Sequence, residues 1–196
     1  MTTFDKSSIR AFRFVRCSFD AETGVARLVY AFDEGPELTE TVTVPGAPFA
    51  LDATRAQAVE HAVRLLHLIT GVSYYKAAVP NEIRIEGYAI DAATAVLMEQ
   101  VYVHGLGEFA YRNGLSLHGR VRFPVAAQAP APAAAAGLRE HALVAIGGGK
   151  DSLVSIEALR AAGVEQVVTW IGGSQLIRTC AERTGLATLN IGRALA

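Results

Sequence analysis

Three consecutive glycines separate an aliphatic segment, 143–146, from an apolar-periodic segment that ends near Gly163. The glycines and the residues that follow them are Gly147, Gly148, Gly149, Lys150, Asp151 and Ser152. Glycines allow backbone N–H groups to approach an anion, and the start of a helix adds unpaired donors and a favourable dipole. The pattern therefore predicts a phosphate-binding loop between a strand and a helix.

Spacing distinguishes the common types of phosphate-binding loop. A Walker A loop requires G-x-x-x-x-G-K-[ST], but here Asp151 follows the lysine and Val144 occupies the position of the first glycine. The dinucleotide fingerprint G-x-G-x-x-G matches Gly147 and Gly149 but has Ser152 in place of its third glycine. No acidic residue that could bind a ribose follows the next strand. Neither motif fits this segment.

The segment resembles the PP-loop of the ATP pyrophosphatase family, S-G-G-x-D-S, in which a strand, loop and helix bind the phosphates of ATP. The matching positions are Gly148, Gly149, Asp151 and Ser152. Lys150 fills the variable position, and Gly147 replaces the family's serine. The resemblance implies that 147–152 bind ATP and that Asp151 lies near Mg²⁺, because a carboxylate beside polyphosphate requires a cation between them. The alternative is a tight glycine turn in which Asp151 only caps the helix.

After the loop, helical and strand-like segments alternate. A second strand is predicted at 167–171, a helix at 174–184 and a third strand at 188–191. This order predicts a parallel sheet with right-handed crossovers and a ligand at the carboxyl ends of its strands. The resemblance implies an α/β PP-loop fold, similar to that of the adenine nucleotide alpha hydrolases. It also implies that residues 171–173 lie beside adenine; the alternative is that they form an ordinary glycine turn.

The preceding part of the chain has a different character. Its predicted elements are strands at 12–19, 25–32 and 37–44, a helix at 52–70, a strand at 82–86 and a helix at 91–111. Glu40 interrupts the apolar alternation of the third strand. The apolar stripe of the first helix consists of Val59, Val63, Leu66 and Ile69. These elements predict an α+β unit that contains a β-meander.

The α+β pattern of the first part and the alternating strands and helices of the second predict two domains. We expect an α+β amino-terminal domain at 1–123, an Ala/Pro linker at 124–138 and the start of a PP-loop domain at 139–196. Three parallel strands are fewer than a doubly wound sheet uses. The parallel sheet is therefore expected to be incomplete in this chain. Either another segment completes it or, as we favour, the chain belongs to a longer protein.

The composition limits the classes of partner, metal site and membrane segment that this chain can have. The 196 residues include 18 Lys+Arg and 19 Asp+Glu, and this balance does not predict a nucleic-acid partner. Cys17 and Cys180 are far apart, so neither a zinc site nor a disulfide framework is indicated. Charged residues are mixed with the apolar residues of segment 1–14, so this segment lacks the apolar core of a signal peptide. No later apolar run resembles a membrane span. We expect a cytoplasmic protein without membrane segments, and the sequence does not indicate an oligomeric state.

A narrower resemblance rests on the glycine segment and on the segments 34–42 and 71–76. Together these resemble the amino-terminal part of the bacterial UDP-N-acetylmuramoyl-L-alanyl-L-glutamate epimerase family, over the whole chain. The resemblance implies that ATP and Mg²⁺ are used to adenylate a carboxylate of the UDP-linked muramoyl dipeptide. The terminal L-glutamate is inverted, and AMP and pyrophosphate are released. Two alternatives remain: a PP-loop ATP pyrophosphatase that activates another acceptor, such as tRNA or an amide-forming substrate, and a non-catalytic nucleotide-binding module.

The residues that would move the proton are not identified by the sequence. The histidines are His61, His67, His104, His118 and His141. His61 and His67 are expected at the polar flanks of the 52–70 helix. His104 and His118 lie near glycine turns that could face a cleft, and His141 is expected to be structural. Cys17 is predicted to be a small buried hydrophobe. The segment 74–76 could hold a uridine, sugar or phosphate, or could pack at a domain junction.

Overall fold

The computed structural model describes residues 5–128 and 135–196. The strands found there are β1 (Ala11–Asp20), β2 (Val25–Phe32), β3 (Leu38–Thr43), β4 (Glu82–Ile85), β5 (Ala142–Ala145), β6 (Gln166–Ile171) and β7 (Ala187–Ala194). The helices are α1 (Ala53–Thr70), α2 (Val72–Tyr75), α3 (Ala92–Gly105), α4 (Gly107–Arg112), α5 (Lys150–Ala161) and α6 (Gln175–Arg183). Most elements lie within one or two residues of the predicted positions.

All seven strands form one sheet in the order β4-β1-β2-β3-β7-β6-β5. Strands β1, β2 and β3 form the predicted antiparallel meander, and β4 is parallel to β1. Strands β5, β6 and β7 are parallel, as predicted. Following these directions, the amino ends of β1 and β4 lie at the same end of the sheet as the carboxyl ends of β5, β6 and β7.

The parallel strands do not form a separate sheet, which corrects the prediction of a purely parallel one; its incompleteness stays a prediction. Strand β7 is antiparallel to β3, with Thr41 opposite Ala194 and Thr43 opposite Gly192. The meander therefore continues the sheet, and the architecture is mixed α/β. The division at 124–138 stays a prediction, and residues 129–134 of the proposed linker lie outside the described residues.

The larger core lies between the meander and the helices α1, α3 and α4. Asp52 caps α1 by accepting from the Arg55 N–H at 2.8 Å, and Asp91 caps α3 by accepting from the Thr94 N–H at 2.7 Å. The two helices are joined where the Tyr102 hydroxyl donates to the Leu68 carbonyl at 2.7 Å. These side-chain caps explain why both helix starts were predictable.

Two helical predictions in this half need correction. The predicted 91–111 helix breaks at Leu106, which lies between Gly105 and Gly107 and leaves the helical region with ψ of 13°. In α1, Ile69 is 44% exposed, whereas His67 and Leu68 are fully buried. The helix contacts the sheet through positions 63 and 67, one turn apart, so the buried stripe is rotated away from Ile69.

A smaller core lies between the parallel strands and the helices α5 and α6. Its buried members are Val144, Ile146, Ile156, Val168, Trp170 and Ala181. On the other face of the same strands, Leu143 is 58% exposed and Ile171 is 59% exposed. No helix in the described part of the chain combines the length and apolarity needed to cross a bilayer.

Candidate functional site

The predicted phosphate-binding residues lie between β5 and α5, at the carboxyl end of the parallel strands. We call 147–152 the glycine loop. The Ile146 N–H donates to the Thr169 carbonyl at 2.8 Å, which extends the β5–β6 pairing up to the first glycine. The loop thus begins where the sheet ends and continues directly into the helix. This is the strand, loop and helix arrangement that the sequence predicts.

The start of α5 has no side-chain cap. Gly149 is the N-cap, with φ of −92° and ψ of 168°, and no side chain bonds to the first-turn amides. Asp151 lies in the first turn of the helix rather than at the cap. The alternative in which Asp151 only caps the helix is therefore not what the structure shows. Uncapped first-turn N–H groups are suited to bind an anion by donating hydrogen bonds to it.

The three glycines have different structural requirements. Gly148 has φ of 83°, a conformation that L side chains rarely adopt. A Cβ atom at Gly147 or Gly149 would meet no protein atom within 4 Å. Packing within the protein therefore does not explain those two glycines, whereas close approach of a ligand to the backbone would.

The polar side chains of the glycine loop differ in exposure: Ser152 is half-buried, whereas Lys150 and Asp151 are exposed. Ser152 Oγ donates to the Gly149 carbonyl at 2.9 Å. Among the described residues, the side chains of Lys150 and Asp151 form no ion pair or hydrogen bond, and both residues are exposed. A lysine ammonium and a carboxylate are thus available beside the uncapped amides, whereas the serine hydroxyl would have to turn away from the Gly149 carbonyl to bind a ligand.

A second glycine turn follows β6 at the same end of the sheet. Gly172 has φ of 90°, and its N–H donates to the Ile191 carbonyl at 3.1 Å. Ser174 caps α6 by accepting from the Ile177 N–H at 3.4 Å. Residues 171–173 therefore form a glycine turn, and the predicted adenine contact stays a prediction.

Two unpartnered polar atoms near this turn were not found from the sequence. Trp170 and Asn190 are cross-strand partners on β6 and β7. Trp170 Nε1 and Asn190 Oδ1 are both buried without a hydrogen-bond partner in the described part of the chain. Neither residue belongs to a sequence motif, and only the burial of their unpartnered atoms in the structure draws attention to them.

Within residues 5–128 and 135–196, no three His, Cys, Asp or Glu side chains are grouped as a metal site. A Mg²⁺ ion at Asp151 would therefore need phosphate or water oxygens as its other ligands. Such a ligand set is usual for Mg²⁺ bound together with a nucleotide. The residues present thus fit a metal that arrives with ATP.

His67 is a structural residue of the larger core, not a polar flank residue as predicted. Its ring is fully buried, with Nε2 3.0 Å from the Val29 carbonyl and Nδ1 3.1 Å from the Tyr88 hydroxyl. Nε2 must carry the proton, because a carbonyl only accepts. Burial lowers the pKa of His67 from 6.5 to about 4. The ring therefore stays neutral and inaccessible to substrate.

The other predicted residues take ordinary places in the fold. His104 lies 2.7 Å from the Gln100 amide oxygen on the surface of α3. His118 and His141 are exposed, and His61 is half-buried. Cys17 is half-buried, and its burial raises the pKa of the thiol to about 11. This agrees with its prediction as a small apolar residue.

The segment 71–76 packs against both the core and the end of β7. A Cβ at Gly71 would lie 2.5 Å from the Phe14 ring, so only glycine fits there. Tyr74 stacks on Tyr30 with ring centroids 4.7 Å apart. Its hydroxyl accepts from the Ala196 N–H at 3.3 Å. These contacts give the segment a packing role where the two halves of the chain meet.

The fold and the glycine loop define an α/β protein with a candidate phosphate-binding loop at the carboxyl end of parallel strands. The sequence model of the MurL N-terminal domain matches residues 3–196, and the chain belongs to this family. The family resemblance predicted from the sequence is thereby confirmed. No solved structure matches the chain.

Two curated relatives of the chain are named as the same enzyme. The chain is 74% identical over 196 residues to the UDP-N-acetyl-alpha-D-muramoyl-L-alanyl-L-glutamate epimerase of Xanthomonas oryzae pv. oryzae, covering 100% of this chain and 44% of the relative. It is 39% identical over 192 residues to the epimerase of the same name from a Micromonospora species, covering 91% of this chain and 41% of the relative. The chain thus spans less than half the length of these relatives.

Proposed function

We propose that the chain is the amino-terminal part of an ATP-dependent epimerase. Its substrate would be UDP-N-acetylmuramoyl-L-alanyl-L-glutamate, a precursor of peptidoglycan, and the terminal L-glutamate would become D-glutamate. The observation that supports this most directly is the 74% identity, over the whole chain, to a relative that bears this name. We expect the reaction to take place in the cytoplasm, without nucleic-acid or membrane partners.

The chemistry of the reaction requires an activated carboxylate. An ionised carboxylate makes the neighbouring Cα–H a very poor acid, because deprotonation would place a second negative charge beside the first. Adenylation by ATP neutralises the carboxylate and leaves a polarised carbonyl, so that a base can remove the α-proton. Pyrophosphate would leave in the adenylation step, and return of the proton to the opposite face, followed by hydrolysis of the acyl-AMP, would give the D-residue and AMP.

The glycine loop supplies the groups that this activation needs. Backbone N–H groups of Gly148, Gly149 and the first turn of α5 would bind phosphate oxygens. The Lys150 ammonium would add donors, as would the Ser152 hydroxyl once it turns from the Gly149 carbonyl, and Asp151 would hold Mg²⁺. The uncapped helix start and the open space at Gly147 and Gly149 support this assignment.

The test is to incubate the full-length protein with ATP, Mg²⁺ and UDP-N-acetylmuramoyl-L-alanyl-L-glutamate. AMP release and the chirality of the glutamate are then measured together. We expect AMP and D-glutamate to appear in a substrate-dependent manner. AMP without D-glutamate would favour the PP-loop pyrophosphatase that activates another acceptor, and absence of AMP with this substrate would refute the proposal.

A further inference from the structure

We propose that a basic pocket at the β1–β4 side of the sheet binds the diphosphate of the UDP-linked substrate. The basic pocket is a cavity of about 780 Å³ whose charged lining residues are Lys6, Arg10, Lys76, Arg120 and Glu82. The choice of this ligand rests on the proposed function. The inference that the pocket binds a phosphate chain rests on the pocket itself.

Separate parts of the chain bring these residues together. Lys6 and Arg10 precede β1, and Lys76 follows α2 directly. Arg120 lies in a turn that the buried side chains of Leu117 and Val121 anchor to the larger core. The positive charges are thus gathered by packing and by strand order, not by proximity in the sequence.

The positive charge of the pocket is not neutralised by the protein. Within the described residues, none of the four basic side chains forms an ion pair or a side-chain hydrogen bond, and Arg120 Nε is buried without a partner. The one acidic side chain, Glu82, directs its two oxygens to Arg84 at 2.7 and 3.0 Å. Four cations therefore remain available for an anion of high charge density.

The backbone of the pocket wall is also unusual. Val79 lines the pocket and has φ of 50°, in a region that a β-branched residue rarely adopts. Its side chain is only 3% exposed, so the core holds the residue in this conformation. Residues held in such conformations are concentrated at ligand sites.

The position of the basic pocket suits a long ligand. The amino ends of β1 and β4, which border the pocket, lie at the same end of the sheet as the glycine loop. A UDP-linked muramoyl dipeptide carries its uridine and its reacting glutamate at opposite ends, and its diphosphate joins the uridine to the sugar. Strands β1 and β5 are five strands apart, roughly 24 Å at about 4.8 Å per strand. With its diphosphate in the pocket, the ligand would extend its sugar and dipeptide along this end of the sheet towards the loop.

Calorimetric titration of the full-length protein with UDP, in the absence of ATP, tests the assignment. UDP should bind and uridine should bind much more weakly, because the diphosphate supplies the contacts. The variants Lys76→Gln and Arg10→Gln change exposed side chains and should each weaken UDP binding about tenfold. Arg120→Gln should have a larger effect, with circular dichroism as the check on folding.

Arg27→Gln is the matched control, because Arg27 is an exposed arginine on β2, outside the pocket, without an ion pair in the described part of the chain. It should leave UDP affinity unchanged. Equal affinity of the wild type and of Lys76→Gln and Arg10→Gln for UDP would overturn the proposal, as would absence of UDP binding. Weakened binding of ATP or pyrophosphate with unchanged UDP binding would also overturn it, and would assign the pocket to the phosphates of ATP.

Steady-state kinetics separates this inference from the proposed function. In an active epimerase, Lys76→Gln should raise KM for the UDP-linked substrate and leave kcat nearly unchanged. Unchanged KM with normal epimerisation would refute the pocket alone. Loss of UDP binding in the pocket variants of a protein that does not epimerise would support the pocket and refute the proposed function.

Discussion

Arg193 Nε lies 2.6 Å from Oε1 of Glu40, and this pair joins β7 to β3 across 153 residues of sequence. Glu40 is fully buried on the same face of β3 as Val42, so it does not break the alternation of that strand. Its Oε2 has no hydrogen-bond partner in the described residues. Arg193 also donates to Ser73 Oγ at 3.1 Å. One guanidinium therefore ties together β3, β7 and the segment 71–76.

The variant Arg193→Met should destabilise the protein, because it leaves the Glu40 carboxylate buried without a counter-ion. Loss of one partner of a buried pair costs about 3–5 kcal/mol, and the expected loss is near the lower end because Arg193 is 29% exposed. Urea unfolding of the full-length protein would measure it. The double variant Glu40→Gln/Arg193→Met should recover part of the loss, and a loss below about 0.5 kcal/mol in the single variant would contradict the assignment.

Gly71→Ala should be strongly destabilising. The new Cβ would lie 2.5 Å from the Phe14 ring and 2.9 Å from the Tyr102 hydroxyl, and overpacking of this kind costs about 1–3 kcal/mol or more. Gly105→Ala is the matched control, because Gly105 ends α3 and a Cβ there meets nothing within 4 Å. Thermal unfolding should show a lower Tm only for Gly71→Ala. Equal Tm values would mean that the core near Phe14 has room for a methyl group.

Stability should fall as the pH falls from 6.5 to 4, in part because of His67. The folded pKa of His67, about 4, lies below its unfolded value of 6.5. The unfolded chain therefore binds more protons in this window, and the contribution present above pH 6.5 is lost as the pH approaches 4. The difference corresponds to roughly 3 kcal/mol. His67→Gln should flatten the pH dependence of urea unfolding, whereas substitution of the exposed His118 by Gln should leave it unchanged.

Gly149→Ala should weaken ATP binding with at most a small loss of stability, because alanine is a poorer N-cap residue than glycine. A methyl group at this position contacts no protein atom, so the fold tolerates it, but it would occupy the space through which phosphate approaches the backbone. We expect affinity for ATP to fall at least about tenfold, measured by calorimetry of the full-length protein with Tm as the check on folding. Gly105→Ala again serves as the control. Unchanged ATP affinity in Gly149→Ala would place the nucleotide elsewhere.

Asp151→Asn should lower Mg²⁺-dependent AMP release by about a hundredfold or more, if the carboxylate holds the metal. The Asp151 side chain bonds to no described residue, so the free energy of unfolding should fall by no more than about 0.3–1 kcal/mol, the contribution of a carboxylate in the first turn of a helix. Glu182→Gln is a suitable control, since Glu182 is an exposed carboxylate on α6. Normal turnover by Asp151→Asn over a range of Mg²⁺ concentrations would exclude the proposed metal contact.

Local features of this chain were predictable from sequence because they depend on neighbouring residues. The caps at Asp52 and Asp91, the turn glycines and the strand–loop–helix unit at 143–161 each carry their signal within a few positions. The pairing of β3 with β7 has no such signal, because it is fixed by contacts between segments far apart in the chain. For the same reason the basic pocket could not be predicted from its scattered lysines and arginines.

The burial of His67 shows a second limit. Periodicity assigned the apolar stripe of α1 to aliphatic residues, but hydrogen bonds to Val29 and Tyr88 satisfy both ring nitrogens and make the histidine a core residue. A polar side chain becomes compatible with burial once it has partners, and those partners lie on other elements. Single-segment patterns do not contain that information.

The antiparallel junction between β3 and β7 also bears on how the protein is made. β3 emerges from the ribosome long before β7, and at about 5–20 residues per second the delay is roughly 7 to 30 s. During that time one side of β3 has no neighbour, and an unprotected strand of this kind recruits other chains. Glu40 places a charge in the middle of β3 while that strand lacks its neighbour, and Arg193 neutralises the charge only when translation has reached β7. The same carboxylate can thus discourage misassembly of the nascent chain and join β3 to β7 once both strands are present.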